Sequence, residues 1–276
     1  MLKQCKRGMG VVLAILAVVQ LTGCKEVTKL TLLKKVAEQV SQAESYAMNM
    51  KMSLEAGGSV SGITVNIGMD MDLNMDINQE PQVIHTKGTL SMNALGQNQE
   101  IPLEMYSLEE NGKTMVYTDS NGTWTKEEGE EFGKMTGTLG AEQYLSMAES
   151  VELEKETKDV AGQECYILTG SIKGDLLESA MGTMIETFEE SGLLEDLNFS
   201  KTQIPIQLYI EKKDFYPVRM TMDMKSIMEE AFEAAIAQGG VEFTCDTCTM
   251  EMEFSSFNQL ENIELPEEVK VQSATS

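Results

Sequence analysis

Residues 63–77 read ITVNIGMDMDLNMDI, and apolar side chains occupy every odd position: Ile63, Val65, Ile67, Met69, Met71, Leu73, Met75 and Ile77. The even positions are polar or small, from Thr64 to Asp76. A period of two sends the two sets to opposite faces of a strand, whereas a helix would spread them around its whole surface. At about 3.3 Å per residue the strand is roughly 45–50 Å long, against about 17–20 Å for a usual one. Alternation of this kind requires an antiparallel sheet with one face in water and one face apolar. Something must cover the apolar face, and what covers it is the functional question.

The same period recurs along the chain. Residues 46–56 carry Met48, Met50, Met52 and Leu54 in one phase, and residues 82–94 carry Ile84, Leu90, Met92 and Ala94. Ile101, Leu103 and Met105 lead a fourth strand. Asn111-Gly112 is the strongest short hairpin signal, with 114–118 pairing back across it. Further strands are expected at 151–156, at 160–172 with a turn at Gly162, at 201–212 (Ile204, Ile206, Leu208, Ile210) and at Val218, Met220, Met222 and Met224. Residues 241–255 form the last long strand. Its apolar phase switches between Cys245 and Cys248, which predicts a β-bulge near Asp246-Thr247. Turns are expected at 57–59 (Gly-Gly-Ser), 78–81 and 96–98, and a charged loop at 126–137.

Helical spacing appears at 31–45 (Leu32, Leu33, Val36, Val40, Ala43), at 140–149, at 175–195 and at 227–238, the last ended by Gly239-Gly240. This order of elements makes a single α+β domain over residues 31–271, with 272–276 as a frayed tail.

The N-terminus is a targeting segment. Lys3, Lys6 and Arg7 precede an apolar core at 11–21 that is too short to span a bilayer at about 20 residues. Leu21-Thr22-Gly23-Cys24 then resembles the lipobox of bacterial lipoproteins. The resemblance implies removal of residues 1–23, a lipid on Cys24, and a tether at 24–30. Each buried acyl methylene contributes about 0.8 kcal/mol to membrane anchorage. The formal charge is −24, and removing 1–23 takes away three positive charges and no negative ones, leaving −27. So acidic a body repels nucleic acid and anionic lipid headgroups. The expectation is a tethered, solvated monomer outside the cytoplasm.

The layout resembles the bacterial lipoprotein carriers of the LolA/LolB type and the mycobacterial LppX/LprG type. The Cys24 lipobox, the N-terminal amphipathic helix and the meander of strands carry the resemblance. So do Gly162-Gln163-Glu164-Cys165-Tyr166-Ile167-Leu168, similar to their mid-domain strand, and residues 257–266, similar to their closing strand. The resemblance implies a long, curved antiparallel sheet, an incomplete barrel, with helices covering its concave face, and acyl chains held there.

The residues expected to line that face are Met50, Met52, Ile67, Met69, Met71, Leu73, Met75, Leu208, Met220, Met222, Met250 and Met252. Methionine is flexible and polarizable and suits a surface that accepts varied apolar shapes. The plainer account of the same residues is an ordinary core in a Met-rich chain. Asp70, Asp72, Asn74 and Asp76 begin like a calcium loop, but Met75 stands where glycine is needed and Pro81 where glutamate is needed. Cys5 leaves with the signal segment. Cys165, Cys245 and Cys248 remain, and one disulfide among them or none are both open. Cys245-Asp246-Thr247-Cys248 has redox spacing but falls in a strand pattern, not at a helix N-terminus. His85 is alone and cannot make a histidine-rich zinc site. No nucleophile elbow or phosphate loop appears, and no cofactor is implied. The sequence therefore points to a non-enzymatic, membrane-anchored lipoprotein that binds a lipid or other hydrophobic ligand. The alternative is a structural or interaction module with a filled core.

Overall fold

A computed structural model describes residues 27–60, 63–94, 96–120, 122–129, 140–174, 202–239 and 242–273. The targeting segment, Cys24 and the helix expected at 175–195 lie outside the described residues.

Among the described residues twelve strands form one antiparallel sheet that is not closed into a barrel. In chain order they are β1 (Ser45–Val60), β2 (Ile63–Gln79), β3 (Gln82–Ala94), β4 (Gln97–Glu110), β5 (Lys113–Ser120), β6 (Thr123–Glu128), β7 (Val151–Leu153), β8 (Lys158–Val160), β9 (Gln163–Lys173), β10 (Gln203–Glu211), β11 (Pro217–Asp223) and β12 (Glu242–Ser255). Their spatial order is β6-β5-β4-β3-β2-β1-β12-β11-β10-β9-β7, with β8 also on β9. The first and last strands are thus neighbours in the middle, and a meander runs outward from each.

Among the described residues four helices accompany the sheet: α1 (Lys29–Gln42), α2 (Ala141–Ser146), α3 (Lys225–Gly239) and α4 (Glu267–Ser273). α1 starts at Thr28, whose hydroxyl accepts a hydrogen bond from the Thr31 backbone N–H, satisfying one of the free donors of the first turn. It buries Leu32, Leu33, Val36, Ala37 and Val40. α2 runs into a 3-10 turn at Met147–Glu149, and together they bury Tyr144 and Met147. All of these, with Ile227 of α3, join the inward residues of the sheet in one core cluster.

Two glycines shape the sheet. A Cβ on Gly88 would fall 1.9 Å from the Asp72 carbonyl oxygen, and one on Gly170 would fall 2.1 Å from the Ser150 carbonyl oxygen. Backbone comes this close only where no side chain intervenes. Gly88 lies between Leu73 and Leu103, and Gly170 between Val151 and Ile206, one in each flank of the sheet.

The expected bulge is present: Glu55 pairs with Thr247 and Ala56 with Cys245, leaving Asp246 as the extra residue. Other expectations are corrected. Residues 57–59 do not turn the chain, because Gly57, Gly58 and Ser59 pair with β2 on one side and β12 on the other. Among the described residues the left-handed glycines that do make turns are Gly96, Gly112, Gly122 and Gly162. Residues 257–266 form no closing strand, and the tail is not frayed at 272–273, because it ends in α4. Leu265 and Val269 are buried against Tyr106 and Tyr117 on the outer face, with Trp124 packed beside them. That nonlocal contact, not local periodicity, holds the tail down.

Candidate functional site: the inward apolar face

Strand register assembles the inward residues into rows that cross the sheet. One row runs Leu153, Leu168, Leu208, Met220, Met252, Met50, Leu73, Gly88, Leu103. The next runs Val151, Gly170, Ile206, Met222, Met250, Met52, Met71, Leu90, Ile101. Period-two alternation on each strand, held in register by its neighbours, converts scattered methionines into a continuous apolar surface.

All twelve residues expected on this face lie in these rows or in flanking rows of the same face. Met50, Met52, Leu73, Met75, Leu208, Met220, Met222, Met250 and Met252 are buried in the core cluster. Ile67, Met69 and Met71 are only partly buried. Exposure rises along the tips of β2 to β4: Leu90 and Ile101 are half-buried, and Met92 is 37% exposed. The face therefore has a sealed part over β1 and β9 to β12 and an apolar rim at the ends of β2, β3 and β4. Leu54, Leu90, Met92, Ile206 and Leu103 belong to the face as well. Their phase on each strand was a sufficient signal to include them.

Between two apolar patches, one at Tyr106 and Tyr117 and one at Tyr209 and Val218, the outward face is polar. Asn49 donates to Asp72 at 2.7 Å and to Asn74 at 3.0 Å, and Ser53 donates to Asp70 at 2.7 Å. Asp70, Asp72 and Asn74 are three of the four residues that begin like a calcium loop, and cross-strand hydrogen bonds occupy them. Arg219 bonds Glu253 and lies 3.7 Å from Glu251. Two shallow grooves of about 290 and 430 Å³ cross this face, lined by residues such as Lys51, Asp72 and Thr89 in one and Gln207, Thr221 and Asp223 in the other.

His85 stacks on Tyr106 at 4.2 Å and its Nε2 lies 3.0 Å from Glu104 Oε1. Burial works upward on the Glu104 carboxyl, but hydrogen bonds from Lys87 and His85 hold it below the usual carboxylate range. Among the described residues no group of three or more His, Cys, Asp or Glu side chains is placed to hold a metal ion. No helix among them is long and apolar enough to cross a membrane. Cys165, Cys245 and Cys248 are all buried free thiols in the structure. Cys165 packs on the outer side with Val160, Tyr209 and Val218, whereas Cys245 and Cys248 face the inner cluster. Cys165 thus lies on the opposite side of the sheet from the other two.

A family model matches residues 28–274 of the chain. The chain belongs to the Family of unknown function DUF6612. Curated proteins give no match to it. Among solved structures this DUF6612 chain is similar to the lipoprotein LppX of Mycobacterium tuberculosis, at 15% identity and a TM-score of 0.49, over 86% of this chain and 98% of that one. It is also similar to LprF from Mycobacterium bovis, at 12% identity and a TM-score of 0.49, over 86% of this chain and 96% of that one.

Proposed function

We propose that this protein is a membrane-anchored lipoprotein, exported and acylated at Cys24, that takes up a lipid or other hydrophobic ligand through the apolar rim of its inward face. The observation that carries the reading is the change in exposure along the rows. The same aliphatic and methionine surface is buried over β9 to β12 and left partly open at Ile67, Met69, Met71, Leu90 and Met92. Apolar area left next to water costs about 25 cal/mol per Å², and its burial by an acyl chain recovers that cost. Methionines at the rim adapt to the shape of what arrives. The outward face of Asp, Asn, Glu and Thr keeps the body solvated while the lipid on Cys24 holds it at the membrane.

The test uses protein carrying Cys24→Ser, purified without detergent. Native mass spectrometry is expected to show bound adducts, and a fluorescent fatty acid is expected to bind with saturation. The double variant Met69→Asp/Met71→Asp is expected to weaken that binding at least tenfold while its circular dichroism stays unchanged. A homogeneous ligand-free mass together with no fatty-acid uptake would sink the reading. Anchorage is tested separately: wild-type protein fractionates with membranes, and Cys24→Ser releases it.

A second reading rests on a different observation. Nine of the twelve expected ligand residues are already packed among the protein's own side chains. A filled core of that kind supports a structural or interaction lipoprotein of the cell envelope, which predicts full stability and no uptake in the same experiments.

A further inference from the structure

Cys245 and Cys248 are three residues apart on β12. Along a regular strand that separation spans about 10 Å and puts the two side chains on opposite faces. The bulge changes both quantities. Cys248 stands opposite Leu54 and Cys245 opposite Ala56, which are only two residues apart on β1. Three steps on β12 therefore cover the length of two on β1, about 6.6 Å. Disulfides join Cα atoms roughly 4.4–6.8 Å apart. Both cysteines enter the inner buried cluster, while Asp246 and Thr247 between them are exposed.

We propose that Cys245 and Cys248 are a disulfide pair, and that oxidation closes a bond across the bulge beneath α3. The helix is seated on this pair: the Met224 backbone N–H at its start donates to the Cys248 carbonyl at 2.8 Å, and Ile227 is buried in the same cluster. The oxidant is a disulfide-bearing donor, either a small-molecule disulfide or a thiol oxidase. One protein thiolate attacks the donor disulfide, forming a mixed disulfide and releasing one thiol. The second protein thiolate then attacks the mixed disulfide and releases the other thiol. Two electrons and two protons pass to the donor, which leaves as two thiols. Burial pushes the Cys245 thiol up, and burial followed by the neighbouring Cys245 pushes Cys248 up to about 12. Thiolate is scarce in the folded protein, so the bond closes while the chain folds. The inference does not depend on whether the inward face takes a ligand.

The test is made on the full chain, refolded in a mixture of oxidised and reduced glutathione, then unfolded with an alkylating agent and digested with trypsin. Residues 226–270 contain no Lys or Arg before Lys270, so one peptide carries both cysteines. It is expected unlabelled and lighter by two hydrogens than its reduced form, while Cys165 carries label. Reductant is expected to lower the melting temperature by about 2–6 °C. The variant Cys165→Ala keeps that reductant shift, and Cys245→Ala/Cys248→Ala loses it. Label on both Cys245 and Cys248 after refolding would overturn the inference, as would a bond from Cys165 to either.

Discussion

On β10, β11 and β12 the inward residues Leu208, Met220, Met222, Met250 and Met252 are buried. On β2, β3 and the tip of β4 side chains of the same kind, Met69, Met71, Leu90 and Ile101, stay partly exposed, and Met92 is exposed. Composition and strand period are alike in the two regions, so neither sets the difference. Position does: α3 packs against β12, and α1 joins the core cluster alongside α2 and β7. The strand ends at the rim lie farther out, past the reach of that packing. A period-two pattern specifies which side chains share a face, but not which of them a helix will reach.

Substitutions can break this comparison or sharpen it. The largest effect is expected at Gly88, where any Cβ meets the Asp72 backbone. Gly88→Val should cost about 3 kcal/mol or more, or abolish folding, in chemical denaturation. Gly96→Ala is its control: Gly96 has φ of +75° with open space around it, and the variant should lose only about 1 kcal/mol. Next comes the contrast between the two regions. Met220→Ala should cost about 2–5 kcal/mol because it leaves a cavity in the sealed part, and Met71→Ala on the rim should cost below about 1 kcal/mol. Equal losses at the two sites would refute the division into a sealed part and a rim.

The smallest effect is electrostatic. Lys126 and then Tyr117 donate hydrogen bonds to Glu110 and hold its carboxyl below the usual range, with burial opposing them. A lowered folded value means the contribution is complete above the unfolded value of about 4.3 and is lost as pH falls through the folded one. Lys126→Gln should raise the Glu110 titration midpoint in NMR. It should destabilise by well under 1 kcal/mol at neutral pH, since the pair is about a third exposed, and that difference should vanish in acid.

Much of the fold was legible because strands here speak in simple alternation. The β3 bounds and the Asn111-Gly112 hairpin follow from local pattern alone, and so does the bulge at Asp246. The failures share a cause. Gly57-Gly58 looks like a turn, yet it is held extended by β2 and β12, one of them nearly two hundred residues away in sequence. The α4 helix is seven residues long, with no periodic stripe of its own, and is fixed by Tyr106 and Tyr117 from another part of the chain. Gly88 reads as an ordinary strand glycine until the approach of Asp72 is seen. The site was half legible for the same reason. The inward set could be read from phase, but the boundary between sealed core and rim depends on where the helices land.

The central seam joins Ser45–Val60 to Glu242–Ser255, the earliest strand to the latest. Each meander can assemble from neighbours in the chain, but the middle of the sheet must wait for both. Contacts of such long sequence separation are slow to form, because loop closure comes before any reward. Until β12 forms, β1 lacks one of its partners, and its main-chain donors and acceptors are bare along that edge. The sheet is completed only when β12 arrives, so until then that open edge can pair with another chain instead.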